Sequence, residues 1–192
     1  MSSEPPLHRK QCRRYDEPWQ AHYLTFSCFR RQPFFKARFS PGWFVEILHS
    51  AREEGLFDLW AYVIMPEHVH LVILPAEGQT ISGILRRLKR PMTTRVLAWV
   101  RANQPSFLER MTEHRPSGQT HHRFWQTGGG YDRNLRSAEE IHEKIKYVHL
   151  NPLRRGLVSR LEDWPWSSYR AWELGVDEPV RLDRESVPIL VN

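Results

Sequence analysis

Two apolar runs dominate the hydropathy pattern, Phe57 to Met65 and His68 to Leu74, broken by Pro66-Glu67. Each has the length of a strand and the break has the chemistry of a tight turn, so together they predict a β-hairpin in the middle of a sheet. Upstream, between His22 and Phe29, Tyr23, Thr25 and Ser27 alternate with Leu24, Phe26 and Cys28. That period of two predicts a further strand. Between these strands the period lengthens to that of a helix. Phe44, Ile47, Leu48 and Ala51 share one face, Ser40-Pro41 opens it with serine at the N-cap, and Gly55 closes it. A second helical stretch covers Ile81 to Arg101, with Pro91 expected to kink or restart it. Tyr131 to Leu135 supplies a last strand. Ser137 and Glu140 then form a capping box for a third helix, whose core stripe is Ile141, Ile145 and Val148. Asn103 to His122, with Pro105, Pro116 and Gly118, reads as a long surface loop, and its histidines His114, His121 and His122 as solvated.

The first six elements run strand, helix, strand, strand, helix, strand. This is βαββαβ, an α+β, ferredoxin-like antiparallel sheet, here with an additional C-terminal helix. With both crossover helices on one face, the other face is left for a site that the last helix can reach across. Three parts follow: a polar, basic arm over 1–19, one domain over 20–175, and a C-terminal tail over 176–192 with little pattern. Trp164-Pro165-Trp166 closes the compact part.

Charge narrows the partner. The formal net charge is +6 over 192 residues, which favours an anionic partner, nucleic acid first. The excess is concentrated. Arg86, Arg87, Lys89, Arg90, Arg95 and Arg101 lie on the second helical stretch, with no acid between Glu77 and Glu109. A solvated helix mixes signs to gain pairs one turn apart; a face that contacts phosphates has no need to. Cys12 and Cys28 have no metal-like spacing and read as reduced thiols. No apolar run is long enough to span a membrane, and the N-terminus lacks the apolar core of a signal peptide. The expected location is cytoplasmic, at the nucleoid.

The candidate chemistry is a pair of spacings. His68 and His70, one residue apart on a strand, point the same way with Cα atoms ~6.6 Å apart, so both imidazoles can converge on one ion. The same spacing also occurs in core and surface histidines. Tyr147 and Asn151, four apart, are neighbours on a helix. A phenol there can attack phosphorus and store the bond as a phosphotyrosine, or can be an ordinary rim tyrosine. Pro152 biases Asn151 away from helical backbone angles, and Glu67 falls in the turn, facing away. Tyr131, behind three glycines that permit close approach to a ligand or a strand, is a rival nucleophile. Trp125 is either a stacking platform or core.

In order, the motifs MPEHVHLVILP, FWQTGGGYDRNL, KIKYVHLNPLRRGLV and EDWPWSSY resemble the single-tyrosine HUH transposases, and within them the REP-associated tyrosine transposase branch. The resemblance runs from about His22 to Trp172. It implies that His68 and His70 bind a divalent metal, Mg²⁺ or Mn²⁺, with Asn151 completing the site and Tyr147 as nucleophile. It also implies cleavage of single-stranded DNA beside a hairpin, through a 5′-phosphotyrosine and a free 3′-OH. Arg86, Arg87, Lys89, Arg90 and Arg95 are then expected to hold the single-stranded or hairpin DNA, and the chain to act as a monomer or homodimer. Two competitors remain: a domesticated protein that binds DNA hairpins without cutting, and a metal-dependent hydrolase that uses activated water. The presence of tyrosine, both histidines and asparagine together favours the nicking enzyme.

Overall fold

The computed structural model describes residues 19–128 and 130–190. Apart from Trp19, the basic arm lies outside the described residues, as does Cys12. In chain order the elements are β1 (Ala21–Ser27), α1 (Ser40–Glu53), β2 (Phe57–Met65), β3 (His68–Pro75), α2 (Ile81–Asn103), β4 (Thr112–His114), β5 (Thr120–His122), β6 (Tyr131–Leu135), α3 (Ala138–Arg154) and α4 (Tyr169–Leu174). The main sheet has the order β2-β3-β1-β6, and every neighbouring pair is antiparallel. This is the ferredoxin-like arrangement that the element order predicts.

Strand alternation divides the core in two. Leu24, Phe26, Leu59, Ile64, Val69, Leu71 and Ile73 turn to one face and pack with Phe44 and Leu48 of α1 and Ile84 and Leu88 of α2. Tyr23, Ala61, Val63, Met65 and Val72 turn to the other and pack with Ile141, Ile145 and Val148 of α3. The face left open by the crossover helices is therefore covered by α3, the helix that carries the candidate nucleophile.

Several expectations change. The hairpin is not wholly central: β3 lies inside the sheet, but β2 is an edge strand. An apolar strand with a bare edge pairs with other chains, and here later segments cover it. The Ile64 amide donates to Trp166 O (2.8 Å), the Ser168 amide to Tyr62 O (3.0 Å) and the Asp183 amide to Leu59 O (2.9 Å). The indoles of Trp164 and Trp172 donate to Ile64 O and Trp60 O, while Val180, Leu182 and Val187 are buried. The stretch from Trp164 onward is thus part of the core. Apart from the short helix α4, it carries no period because it packs as extended pieces.

Ser40 is the first residue of α1 and does not cap it; its buried hydroxyl donates to Phe34 O and Ala37 O. Helix α2 continues through Pro91. The long loop contains a 3-10 turn, Pro105–Met111, and a β4–β5 hairpin. Cys28 is a free, buried thiol whose pKa burial raises. Among the described residues no helix is long and apolar enough to cross a membrane.

Asp183 offers a test of the edge cover. Its carboxylate accepts from the Leu59 amide at 2.8 Å and pairs with Arg52. Asp183→Ala strands a backbone donor and a mostly buried guanidinium, a loss of about 2–4 kcal/mol. Urea unfolding should show a lower midpoint at an unchanged slope.

Candidate active site

The site grows out of strand register. His70 pairs with Val63 on one side and with Thr25 on the other, and Thr25 in turn pairs with Tyr131. His68 sits beside Met65 and Ser27, and Tyr23 beside Val72 and Arg133. With a period of two, His68, His70, Tyr23, Thr25 and Tyr131 all project from the face that α3 covers.

The two imidazoles are buried and perpendicular, with ring centroids 4.5 Å apart. Their Nε2 atoms face one another at 2.8 Å. Both Nδ1 atoms are engaged elsewhere: that of His68 with Glu67 Oε1 at 3.1 Å, that of His70 with the Tyr23 hydroxyl and with Thr25 Oγ1, each at 2.7 Å. Burial lowers the pKa of both rings, that of His70 to about 3, so both are neutral at neutral pH. Glu67, expected to face away, instead turns in to orient His68 and also pairs with Arg155 at 2.9 Å.

Asn151 joins them from the last turn of α3. The helix holds through Pro152, and the Asn151 carbonyl still accepts from the Arg155 amide at 3.0 Å. The Asn151 side chain donates through Nδ2 to Tyr147 O (2.8 Å) and lies near the His70 ring. The three residues fit a divalent ion. An ion bound at ~2.1 Å by two nitrogens at a right angle holds them ~3.0 Å apart, close to the spacing seen. Metal-binding histidines also fix their second nitrogen to a carboxylate or another polar partner, as both do here. Among the described residues no group of three His, Cys, Asp or Glu side chains comes together. The donor set is therefore two imidazoles and an amide, neutral and incomplete, with positions left for substrate oxygens.

Tyr147 is half-buried and turned towards the sheet. Its ring lies edge-on to Tyr23 and to His70, both at 6.0 Å. Lys144 Nζ and Arg154 Cζ each lie 5.4 Å from its ring centroid, placing two cations where an anion would gather. Tyr131 is 51% exposed. Its ring meets Tyr23 at 5.9 Å and, among the described residues, neither histidine. Gly130, just ahead of it, serves a strand rather than a ligand: it has φ +78°, and a Cβ there would lie 2.0 Å from Thr25 O.

Helix α3 is pinned in place by residues of the last motif. His149 Nε2 lies 2.9 Å from Ser168 Oγ, and Ser168 Oγ accepts from the Tyr62 amide at 2.9 Å. One side chain thus ties α3 to β2.

The five basic residues separate into two groups. Arg87 pairs with Glu54, and Arg95 with Glu46; Glu46 lies in α1 and Glu54 caps its C-terminus, so the sign-mixing missing along α2 is supplied across the helix pair. Arg86 and Arg90 are exposed and, with Lys89, line a groove of about 500 Å³ between α2 and residues 122–128, beside Thr93, Arg123 and Thr127. Trp125 is core rather than a stacking surface: it is 6% exposed and packs on Phe26 and Phe44. Sequence reading missed Tyr23, Thr25 and Glu67, which become neighbours of the histidines through register and the turn. Only the placement of Tyr23 and Thr25 on the same strand face was legible.

Gly130→Ala should cost about 2 kcal/mol or more, since a backbone oxygen cannot yield as a side chain can. Gly118, at the same φ but with open space around it, is the control, and Gly118→Ala should cost about half that in chemical denaturation.

No protein-family model matches the chain. It is 27% identical over 114 residues to a candidate REP-associated tyrosine transposase of Haemophilus influenzae, a match covering 59% of this chain and 59% of that protein. It is 25% identical over 121 residues to the REP-associated tyrosine transposase of Escherichia coli, covering 62% of this chain and 59% of that one. Both matches thus span less than two thirds of the relatives' length. A solved structure described as a REP-associated tyrosine transposase bound to a REP hairpin shares the fold, with a TM-score of 0.63 at 19% identity over 95% of this chain and 99% of that one.

Proposed function

We propose that this chain, a relative of the REP-associated tyrosine transposases, is a metal-dependent single-stranded DNA endonuclease and strand transferase that acts beside DNA hairpins. The observation that carries the reading is the convergence of Tyr147 on the paired imidazoles, with its ring 6.0 Å from that of His70. His68, His70 and Asn151 are the residues to hold Mg²⁺ or Mn²⁺, which when bound polarises a phosphoryl oxygen. The chain's own groups account for the rest. Tyr147 Oη gives its proton to solvent and bonds to phosphorus while the P–O3′ bond breaks. The departing oxygen takes a proton from water, leaving a 5′-phosphotyrosine and a free 3′-OH. Lys144 and Arg154 offset the phosphate charge at the phenol. Because α3 packs on the sheet of its own chain, one copy carries every residue named, which supports a monomer as the acting unit. The setting that suits this chemistry is the nucleoid, in the cytoplasm.

For the DNA path the favoured surface is the groove lined by Arg86, Lys89 and Arg90. Its lining ends at Gly128, three residues before Tyr131 in the chain. Arg87 and Arg95, already paired with acids, are assigned to holding α1 against α2.

With Mn²⁺ and a hairpin carrying a single-stranded flank, the protein should form an adduct that survives SDS. Tyr147→Phe should abolish it and Tyr131→Phe should leave it. Cleavage without an adduct would instead support the hydrolase, and binding without cleavage the hairpin-binding protein. Replacing Arg86 and Arg90 together by alanine should weaken DNA binding at least tenfold and flatten its logarithmic salt dependence by about 1.4. Arg87→Ala and Arg95→Ala should leave that slope unchanged.

A further inference from the structure

Tyr23 stands between the two halves of the site. It is buried at 6% exposure in β1, and its ring lies nearly parallel to that of His70, 14° apart at 5.6 Å, and edge-on to that of Tyr147. Its hydroxyl lies 2.7 Å from His70 Nδ1, and Thr25 Oγ1 lies equally close to the same nitrogen. Tyr23 and Thr25 thus meet at one nitrogen, and the Tyr147 ring lies edge-on to Tyr23 at 6.0 Å, close enough for the two phenols to be electrostatically coupled.

The hydrogens in this cluster can be assigned by counting. An imidazole that ligates through Nε2 carries its hydrogen on Nδ1. His70 Nδ1 then donates, and the oxygens of Tyr23 and Thr25 accept. The Thr25 hydroxyl can pass its own hydrogen to the Tyr23 oxygen. The Tyr23 hydrogen is then free to turn to the Tyr147 phenol, whose ring lies 6.0 Å away. On this count the hydrogens can run in one direction, from His70 to Tyr147.

We propose that Tyr23 is a positioning residue for the nucleophile: its hydroxyl donates to Tyr147 Oη when His70 is engaged through Nε2, coupling ion binding to alignment of the attacking oxygen. The idea deepens the nuclease reading and rests on it for its purpose, though the hydrogen-bonded link stands apart from whether DNA is cut. Without the link, an ion could sit on the histidines while the phenol, on a different element, drifts among rotamers. With it, both answer to one hydroxyl on the central strand β1.

A double-mutant cycle on Mn²⁺ affinity, measured by calorimetry on the DNA-free protein, tests the link without any activity. Thermodynamic coupling is reciprocal, so a phenol held by the chain from His70 must be felt at the ion. Tyr147→Phe should change the Mn²⁺ dissociation constant 2- to 5-fold when Tyr23 is present and by less than 1.5-fold in a Tyr23→Phe background. Additive effects, or no Mn²⁺ binding, would overturn the proposal. Single-turnover adduct formation adds the kinetic arm. Tyr23→Phe should slow the step 10- to 100-fold at saturating Mn²⁺ and hairpin, with hairpin affinity held within 2-fold; an unchanged rate would overturn it. Should Tyr23→Phe not fold, Thr25→Val cuts the same chain one link earlier and should reduce the coupling. Coupling present with no adduct in the wild type would retain the link and sink the nuclease reading, so the two failures are distinguishable.

Discussion

Every functional contact in this protein depends on one packing event, the seating of α3 on the sheet face opposite α1 and α2. The histidines lie on β3, but Tyr147 and Asn151 lie on α3, some 75 residues later in the chain. Nothing local joins them. Ile141, Ile145 and Val148 supply the non-directional part of the seating by burying against Ala61, Val63 and Val72. Hydrophobic burial alone permits a helix to slide or rotate by a fraction of a turn, and such a shift would carry the phenol away from the imidazoles. Directional bonds remove that freedom. His149 to Ser168 fixes the middle of the helix to β2, and Arg155 to Glu67 fixes its end to the turn before His68. The same Ser168 closes the β2 edge, so the device that keeps an apolar strand from pairing with other chains also sets the register of the site.

Much of this was legible in the sequence wherever a periodic pattern exists. The six-element order, the hairpin, the two histidines on one strand face and the Tyr147–Asn151 pair on one helix all follow from periods of two and 3.6. What could not be read is what tertiary proximity creates. Glu67 looked like a turn residue facing solvent because the direction of a turn side chain depends on which partner waits there. The basic character of α2 looked unrelieved because Glu46 and Glu54 sit on and at the end of a different helix. The chain beyond Trp164 looked structureless because extended segments that bury Val180, Leu182 and Val187 against an edge follow no repeat. The penalty of Pro152 on Asn151 was overstated: the residue lies in the last turn, where its carbonyl already has a partner in the Arg155 amide.

The distribution of charge fits a division of labour. The imidazoles and the Asn151 amide are neutral, so on the proposed reading the ion site would carry no net charge of its own and could not neutralise a divalent cation. Such a set binds weakly until an anion completes it, which makes substrate phosphate a co-ligand rather than a competitor. The cations stand further out. Lys144 and Arg154 lie over the phenol ring, and Arg86, Lys89 and Arg90 line the groove on the α2 side. Arg155, which stands beside His68, is balanced by Glu67, while the charge at the phenol and along the groove is placed to attract the polymer without opposing the metal.

That arrangement explains why a hydroxyl, and not a charged group, is the natural bridge between ion and nucleophile. A carboxylate at Tyr23's position would add a ligand and tighten the ion, but would repel an approaching phosphate and an oxygen gaining negative charge. A lysine there would repel the ion. A phenol does neither: it accepts from one neighbour and donates to the next, and its direction is set by whichever partner has a fixed hydrogen. In this site that partner is His70, whose Nδ1 must donate once Nε2 is committed to the ion. Burial enforces the choice, because within a face enclosed by α3 there is little water to accept the Tyr23 hydrogen in place of the Tyr147 oxygen.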